Sequence, residues 1–235
     1  MEILRPSVVA LLPHDQGAAT QALDFNLQGQ LLESVGLHGR SGRRILDMDN
    51  GDLLAQERIR PEIYATGIAT LSEEVSLQFS RLEELVSVFD PITLALEEER
   101  SYPFEVNGAC VLEGEPSGPT VVVSHPDSQL SVISGETFEL QRSIEPVAGT
   151  QRLPPLTDLQ CDGDAVWGIV GNTGVVVKID VTTGQLLGLT DLATLTPAGL
   201  GSKDVLSGLA YRQTSDTWFV TGKRWDVLYE VSFEP

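Results

Sequence analysis

Five stretches decide the fold: ILDMDNG (45–51), VFDPIT (88–93), VISGET (132–137), KIDVTTG (178–184) and YEVSF (229–233). Each brings apolar residues up to an Asp or a Ser, at Asp47, Asp90, Ser134, Asp180 and Ser232. The separations are 43, 44, 46 and 52 residues, the last stretched by a Gly/Pro/Thr-rich segment around Thr194 to Ser202. Between these landmarks lie short runs rich in Val, Leu, Ile and Thr, broken by turn residues, with little helical periodicity. About four strands in some 45 residues is the size of a propeller blade. A β-sandwich is the competing all-β fold, and the repeat disfavours it.

A second landmark runs in phase with the first: a polar residue, a small or short one, then an apolar one. It reads Gln21-Ala22-Leu23, Thr66-Gly67-Ile68, Asn107-Gly108-Ala109, Thr157-Asp158-Leu159 and Ser207-Gly208-Leu209. Small residues suit innermost strands, where backbones approach closely around a common axis. After Ser207 the chain has room for three strands, LSGLAY, TWFVTG and VLYEVSF. Val8 to Leu12 is expected to supply the fourth and so remove an exposed edge. The sequence therefore predicts an all-β, five-bladed β-propeller over residues 1–235 as a single domain, its last blade closed by the N-terminal strand. Gln21, Thr66, Asn107, Thr157 and Ser207 should ring one mouth of its channel, as substrate contacts or as ties between crowded strands.

With 34 acidic and 15 basic residues among 235, the formal net charge is −19. Nucleic-acid binding needs clustered Lys and Arg. Here only Arg43–Arg44 and Lys223–Arg224 are adjacent, so no nucleic-acid partner is expected. No run approaches the roughly 18 apolar residues of a membrane span, so no membrane partner is expected either. The N-terminus shows no secretory pattern. That predicts a cytoplasmic protein as the chain stands, or a secreted or periplasmic one if a leader has been removed. Cys110 and Cys161 lie in apolar stretches outside any CxxC spacing and are expected as buried free thiols. His14, His38 and His125 are too dispersed to suggest zinc.

The stretches PHDQGAATQALDF (13–25), GQLLESVGLHGRS (29–41), KIDVTTGQLLGLTDL (178–192), VLSGLAY (205–211) and WFVTGKRW (218–225) resemble, in order, signature stretches of the plant and bacterial glutaminyl cyclases. The resemblance implies a metal-independent glutaminyl-peptide cyclotransferase with no cofactor. Its substrate would be a peptide with an N-terminal Gln, cyclised to pyroglutamate with release of ammonia. Nucleophile and electrophile already lie in one residue. The site has to fold the side chain back, keep the amine neutral and protonate the leaving ammonia. Holding such a conformer supplies several kcal/mol, and proton transfer by a placed carboxyl adds roughly 10²- to 10⁴-fold.

Glu33 matches the family glutamate that shuttles this proton. Burial between Leu31 and Val35 is expected to raise its pKa. The blander reading pairs it with Arg40, Arg43 or Arg44. Lys223 matches a pocket lysine able to stabilise the developing oxyanion, or else is a solvated turn residue. Gln21 matches a substrate-binding glutamine.

Other positions depart from the family pattern. Ala19 replaces a phenylalanine, Thr66 a glutamate, Asn107 a tryptophan, His125 an aspartate and Thr157 an asparagine. A second substrate-facing tryptophan falls on Val170 or Gly171, Trp167 being three or four residues off. Such losses predict a wider, more polar pocket. The alternative function is a catalytically degenerate propeller that serves as a binding or scaffold module.

Overall fold

In the computed structural model, which describes residues 1–114 and 118–235, the chain is all-β apart from a single 3₁₀ turn, Ala193–Leu195, among the described residues. Three consecutive antiparallel sheets of four strands come first. They are Thr20–Phe25 to Leu53–Arg58, Ala65–Thr70 to Leu96–Ser101, and Gly108–Leu112 to Leu140–Ile144. An eight-stranded sheet follows. It runs from Leu156–Asp162 through Ala165–Val170, Val175–Asp180 and Leu186–Asp191 to the N-terminal strand Glu2–Pro13. It then continues through Val227–Glu234 and Thr217–Gly222 to Leu206–Arg212.

The N-terminal strand makes this long sheet. Val8 faces Val231, Leu11 faces Tyr229 and Leu12 faces Leu228, the antiparallel closure expected from the sequence. The strand is longer than expected, and Glu2, Ile3 and Leu4 also pair parallel with Gly188, Leu189 and Thr190. One segment thus stitches two four-stranded groups together and leaves no free edge between them.

Strand chemistry explains the layering. The strands LLESV (31–35), SLQFS (76–80) and TVVVS (120–124) are buried at every position. The fourth strands LLAQER, LEEERS and LQRSI are mostly exposed. Charged outer strands keep the sheet edges in water and discourage edge-to-edge pairing. Apolar clusters fill the space between neighbouring sheets. Ala22, Leu32, Ile68 and Phe89 join the first two, and Leu77, Phe79, Val121 and Val123 the next two. Leu23 and Leu31 meet Phe219 and Leu228 to complete the circuit. Each Val, Leu, Ile or Phe among them contributes about 1.5–3 kcal/mol by leaving water.

The first landmark is a turn. Asp47, Asp90, Ser134 and Asp180 each accept backbone N–H bonds two or three residues on, an Asx or Ser turn. The residue four beyond each has positive φ: Gly51, Leu94, Phe138 and Gly184. Gly adopts this region freely, whereas Leu and Phe are strained there. Leu94 and Phe138 are held by burial, at 1% and 9% exposure. Ser232 departs from the pattern because it sits inside Val227–Glu234 opposite Ser7. There the fourth strand comes from the other end of the chain, so no turn is needed.

The two cysteines correct the sequence reading. Cys110 and Cys161 are a disulfide with a Cα–Cα separation of 5.5 Å, not free thiols. They stand on Gly108–Leu112 and Leu156–Asp162, first strands of neighbouring sheets that lie against each other. A spacing of 51 residues carries no local sign of this. No helix among the described residues is long and apolar enough to cross a membrane.

Candidate active site

The first strands of the sheets pack in chain order and the last returns to the first. Their small residues are needed for that approach. A Cβ on Gly67 would stand 2.6 Å from the Ala109 nitrogen, and one on Gly108 2.7 Å from the Asp158 Cα. Ladder pairing skips Gln21, Thr66-Gly67, Asp158 and Ser207. Such bulges re-aim side chains out of the sheet alternation, which is how Gln21, Thr66 and Ser207 come to face the centre.

Gln21, Thr66, Asn107, Thr157 and Ser207 all line one cavity of about 230 Å³, and Lys223 lines it with them. Several are also structural ties. The Thr66 hydroxyl donates to the Val106 carbonyl at 2.7 Å, and the Ser207 hydroxyl to the Thr20 carbonyl at 2.8 Å. Gln21 Nε2 donates to the Ala19 carbonyl at 3.1 Å, and Thr157 makes a long bond of 3.4 Å to the Ile169 carbonyl. Asn107 and Lys223 are half-buried. Arg81, from the turn after Ser76–Ser80, also lines the cavity, and the sequence reading did not single it out.

No Asp or Glu lines this cavity among the described residues, and no aromatic side chain does. Gly171 is at its wall while Val170 packs in the core. Trp167 is 5% exposed, stacks on Phe233 and packs at a tilt against Trp218, and does not line the cavity. His125 is bonded to the Glu105 carbonyl and Ser131 in a separate groove. Ala19 is buried against Ala18 and Val35.

Glu33 is not brought to the cavity. It is fully buried, with Oε1 accepting from the Thr20 hydroxyl at 2.6 Å and from His14 Nε2 at 3.0 Å. Arg44 Nη1 lies 3.5 Å from Oε2 and 2.9 Å from Asp15. His14 Nδ1 faces the Trp225 carbonyl at 3.0 Å. Both of its ring nitrogens therefore meet oxygens, an arrangement that the imidazolium satisfies by donating from each nitrogen to an ionised Glu33 and to the carbonyl. Burial alone would push the Glu33 carboxyl up, as the sequence suggested. The His14 hydrogen bond and charge, the Thr20 hydroxyl and Arg44 outweigh it and hold the pKa below the usual glutamate value. Burial opposes the charged form of His14 too, yet Glu33 and the Trp225 carbonyl raise its pKa. Of the suggested arginine partners, Arg44 is the one in place.

Lys223 is the opposite case. Burial, then Arg81 and Arg224, lower its pKa, with Asp204 opposing. An amine in such a place gives up its proton more readily than an ordinary lysine. Among the described residues no group of three or more His, Cys, Asp or Glu is arranged to hold a metal ion.

The family model described as "Glutamine cyclotransferase" matches residues 1–233. A glutaminyl-peptide cyclotransferase of Arabidopsis thaliana is 26% identical over 231 residues, 97% of this chain and 71% of the relative. The crystal structure of Myxococcus xanthus glutaminyl cyclase superposes with a TM-score of 0.90 at 25% identity, covering 100% of this chain and 99% of that one.

Proposed function

Because the chain belongs to the glutamine cyclotransferase family, we propose that it is a metal-independent glutaminyl-peptide cyclotransferase acting on peptides with an N-terminal Gln. We read residues 1–235 as one five-bladed propeller, the eight-stranded sheet counting as two blades joined by the N-terminal strand. The observation that carries the reading is the convergence of Gln21, Thr66, Asn107, Thr157, Ser207 and Lys223 on one central cavity.

In the reaction the substrate's α-amine attacks its own side-chain amide carbon. A C–N bond forms, the carbonyl oxygen becomes an oxyanion, and the C–N bond to the amide nitrogen breaks once that nitrogen is protonated. Gln21, Asn107 and Thr157 offer hydrogen bonds that hold the side chain folded back. The Lys223 ammonium faces the developing oxyanion. With no carboxylate among the described residues that line the cavity, Lys223 is also the group placed to give a proton to the leaving nitrogen, which departs as ammonia, and to regain one from the attacking amine as it becomes the ring amide. Glu33 contributes as a positioning residue: it fixes Thr20, whose carbonyl receives Ser207. The chemistry needs no Lewis acid, so EDTA should leave turnover unchanged.

The test is ammonia release from a Gln-initiated dipeptide by wild type, Lys223→Met and Glu33→Gln. Release that is lost in Lys223→Met supports this assignment. A loss above about 10²-fold in correctly folded Glu33→Gln would instead make Glu33 the general acid/base. A cavity lined by no described carboxylate or aromatic side chain favours one second reading, a binding module without turnover. No ammonia release at neutral or mildly alkaline pH would select it. The Cys110–Cys161 bridge supports an oxidising compartment, secreted or periplasmic. Titration of free thiols before and after reduction checks the bridge.

A further inference from the structure

The chain carries a net charge of −19, yet its central cavity is lined by two cations and no described acid. Arg81 and Lys223 come from turns on different sheets, and each is within electrostatic reach of the other. Neither makes an ion pair among the described residues. Arg81 has only its backbone N–H on the Tyr64 carbonyl and its guanidinium 5.9 Å from the Tyr64 ring centroid. The acid nearest in influence to Lys223 is Asp204, whose oxygens are taken by Arg224 and the Gly201 N–H. In a chain with more than twice as many acids as bases, two cations that line one cavity with no counter-charge among the described residues are suited to an anion from outside the chain. Like charges repel across the cavity, and an anion placed between them removes that repulsion and gains charge-assisted hydrogen bonds. A guanidinium matches a carboxylate in a two-point fork, whereas Lys acts as a point charge.

We propose that Arg81 is a specificity-determining residue that pairs with a substrate carboxylate one residue beyond the reacting glutamine. Lys223 is thereby left facing the reacting amide. Rests on the cyclotransferase reading though it does, the proposal adds the class of substrate: short glutaminyl peptides carrying a free carboxylate. That carboxylate comes either from the C-terminus of a dipeptide or from an acidic second side chain. Arg81 is exposed and sits in a turn, so changing it should not compromise folding.

The experiment compares kcat/KM for Gln-Ala, Gln-Ala-amide and Gln-Glu-amide, and measures calorimetric binding of pyroglutamyl-alanine and its amide. A carboxylate-bearing ligand should be favoured by about tenfold, the scale of one charged hydrogen-bonded contact. Arg81→Met should abolish the difference between acid and amide, and Arg81→Glu should reverse it. Arg40→Met, an exposed arginine elsewhere, should keep it. The two acidic substrates distinguish the C-terminal from the side-chain source. Equal binding of acid and amide, or a preference that survives Arg81→Met, overturns the proposal. Should no substrate release ammonia while pyroglutamyl-alanine still binds in an Arg81-dependent way, the cyclotransferase reading fails and the carboxylate site stands.

Discussion

Glu33 and Asp158 are both fully buried, and the same desolvation leaves them in opposite states. Glu33 meets His14 and Arg44, and its pKa falls below the usual value. Asp158 makes no ion pair among the described residues. Its Oδ2 accepts the Leu23 and Leu209 backbone N–H groups at 3.0 and 2.7 Å, tying the first and last inner strands together. Burial therefore dominates, the Asp24 charge adds to it, and the pKa rises well above the ordinary value. Burial does not decide the charge of an acid; the cations packed with it do. Lys223 and Arg81 invert the case, as cations in a cavity lined by no described acid.

The largest expected effect tests the frame that holds these groups in place. Replacing Cys110 and Cys161 together by Ser frees the strand bearing Asp158 from its neighbour. Opening a loop of 51 residues should cost about 4 kcal/mol on a chain-entropy account. Denaturant titration with and without reductant measures it. A loss below 1 kcal/mol would mean that the inner strands are held by packing alone.

Next comes Glu33→Gln, at about 3 kcal/mol, because it leaves two buried cations short of their acid. The pH dependence carries a sign that packing loss would not. Glu33 has a depressed pKa, so its stabilisation is present above its ordinary 4.5 and is lost as pH falls through the lower folded value. His14 has a raised pKa, so its share is present below 6.5 and is lost as pH rises through the higher folded value. Stabilisation by the pair is thus greatest between 4.5 and 6.5, and Glu33→Gln should flatten both limbs. A variant that keeps the wild-type profile would break the contrast with Asp158.

How much of this was readable depends on how local each cause is. The Asp and Ser turns were legible because an Asx turn is built within four residues. So was the set of polar positions, since the polar–small–apolar triplet recurs at each inner strand and all five polar residues line one cavity. The His14–Glu33 contact was not, because His14 arrives from the segment leading into Thr20–Phe25 and pairs across a sheet. Family likeness pointed to Glu33 as a proton carrier, but the local pattern could not show whether it faced the channel. Arg81 carries no local sign, being one of many charged residues in turns, and only the fold brings it to the cavity. The disulfide needed the order of the sheets in space.

A third, smaller effect concerns Asp24, whose pKa burial raises to about 6 against hydrogen bonds from Thr70 and Phe25. A raised carboxyl favours the neutral form. Its contribution is full below the ordinary 3.8 and is lost as pH rises through about 6. That loss amounts to about 2 to 3 kcal/mol. In Asp24→Asn the decline between pH 4 and 6 should shrink accordingly, in the direction opposite to the acid limb removed by Glu33→Gln. Thermal denaturation of both variants across that range gives the comparison directly, and slopes of the same sign would refute it.

The smallest effect on stability is the most telling about function. Lys223→Met removes a half-buried cation that has no ion-pair partner among the described residues and that Arg81 and Arg224 both repel. The Met stem keeps most of the side chain's apolar contact, so little packing is lost. Relief of the like-charge repulsion should raise stability by up to about 1 kcal/mol. Turnover should move the other way by about 10²-fold, because the charge facing the oxyanion has gone. Charge matched within the fold, as around Glu33, should cost stability when removed. Charge left unmatched toward a cavity should cost activity and spare the fold. If Lys223→Met both destabilised the protein and left ammonia release intact, Lys223 would belong with the structural charges, and the cavity would lose its catalytic group.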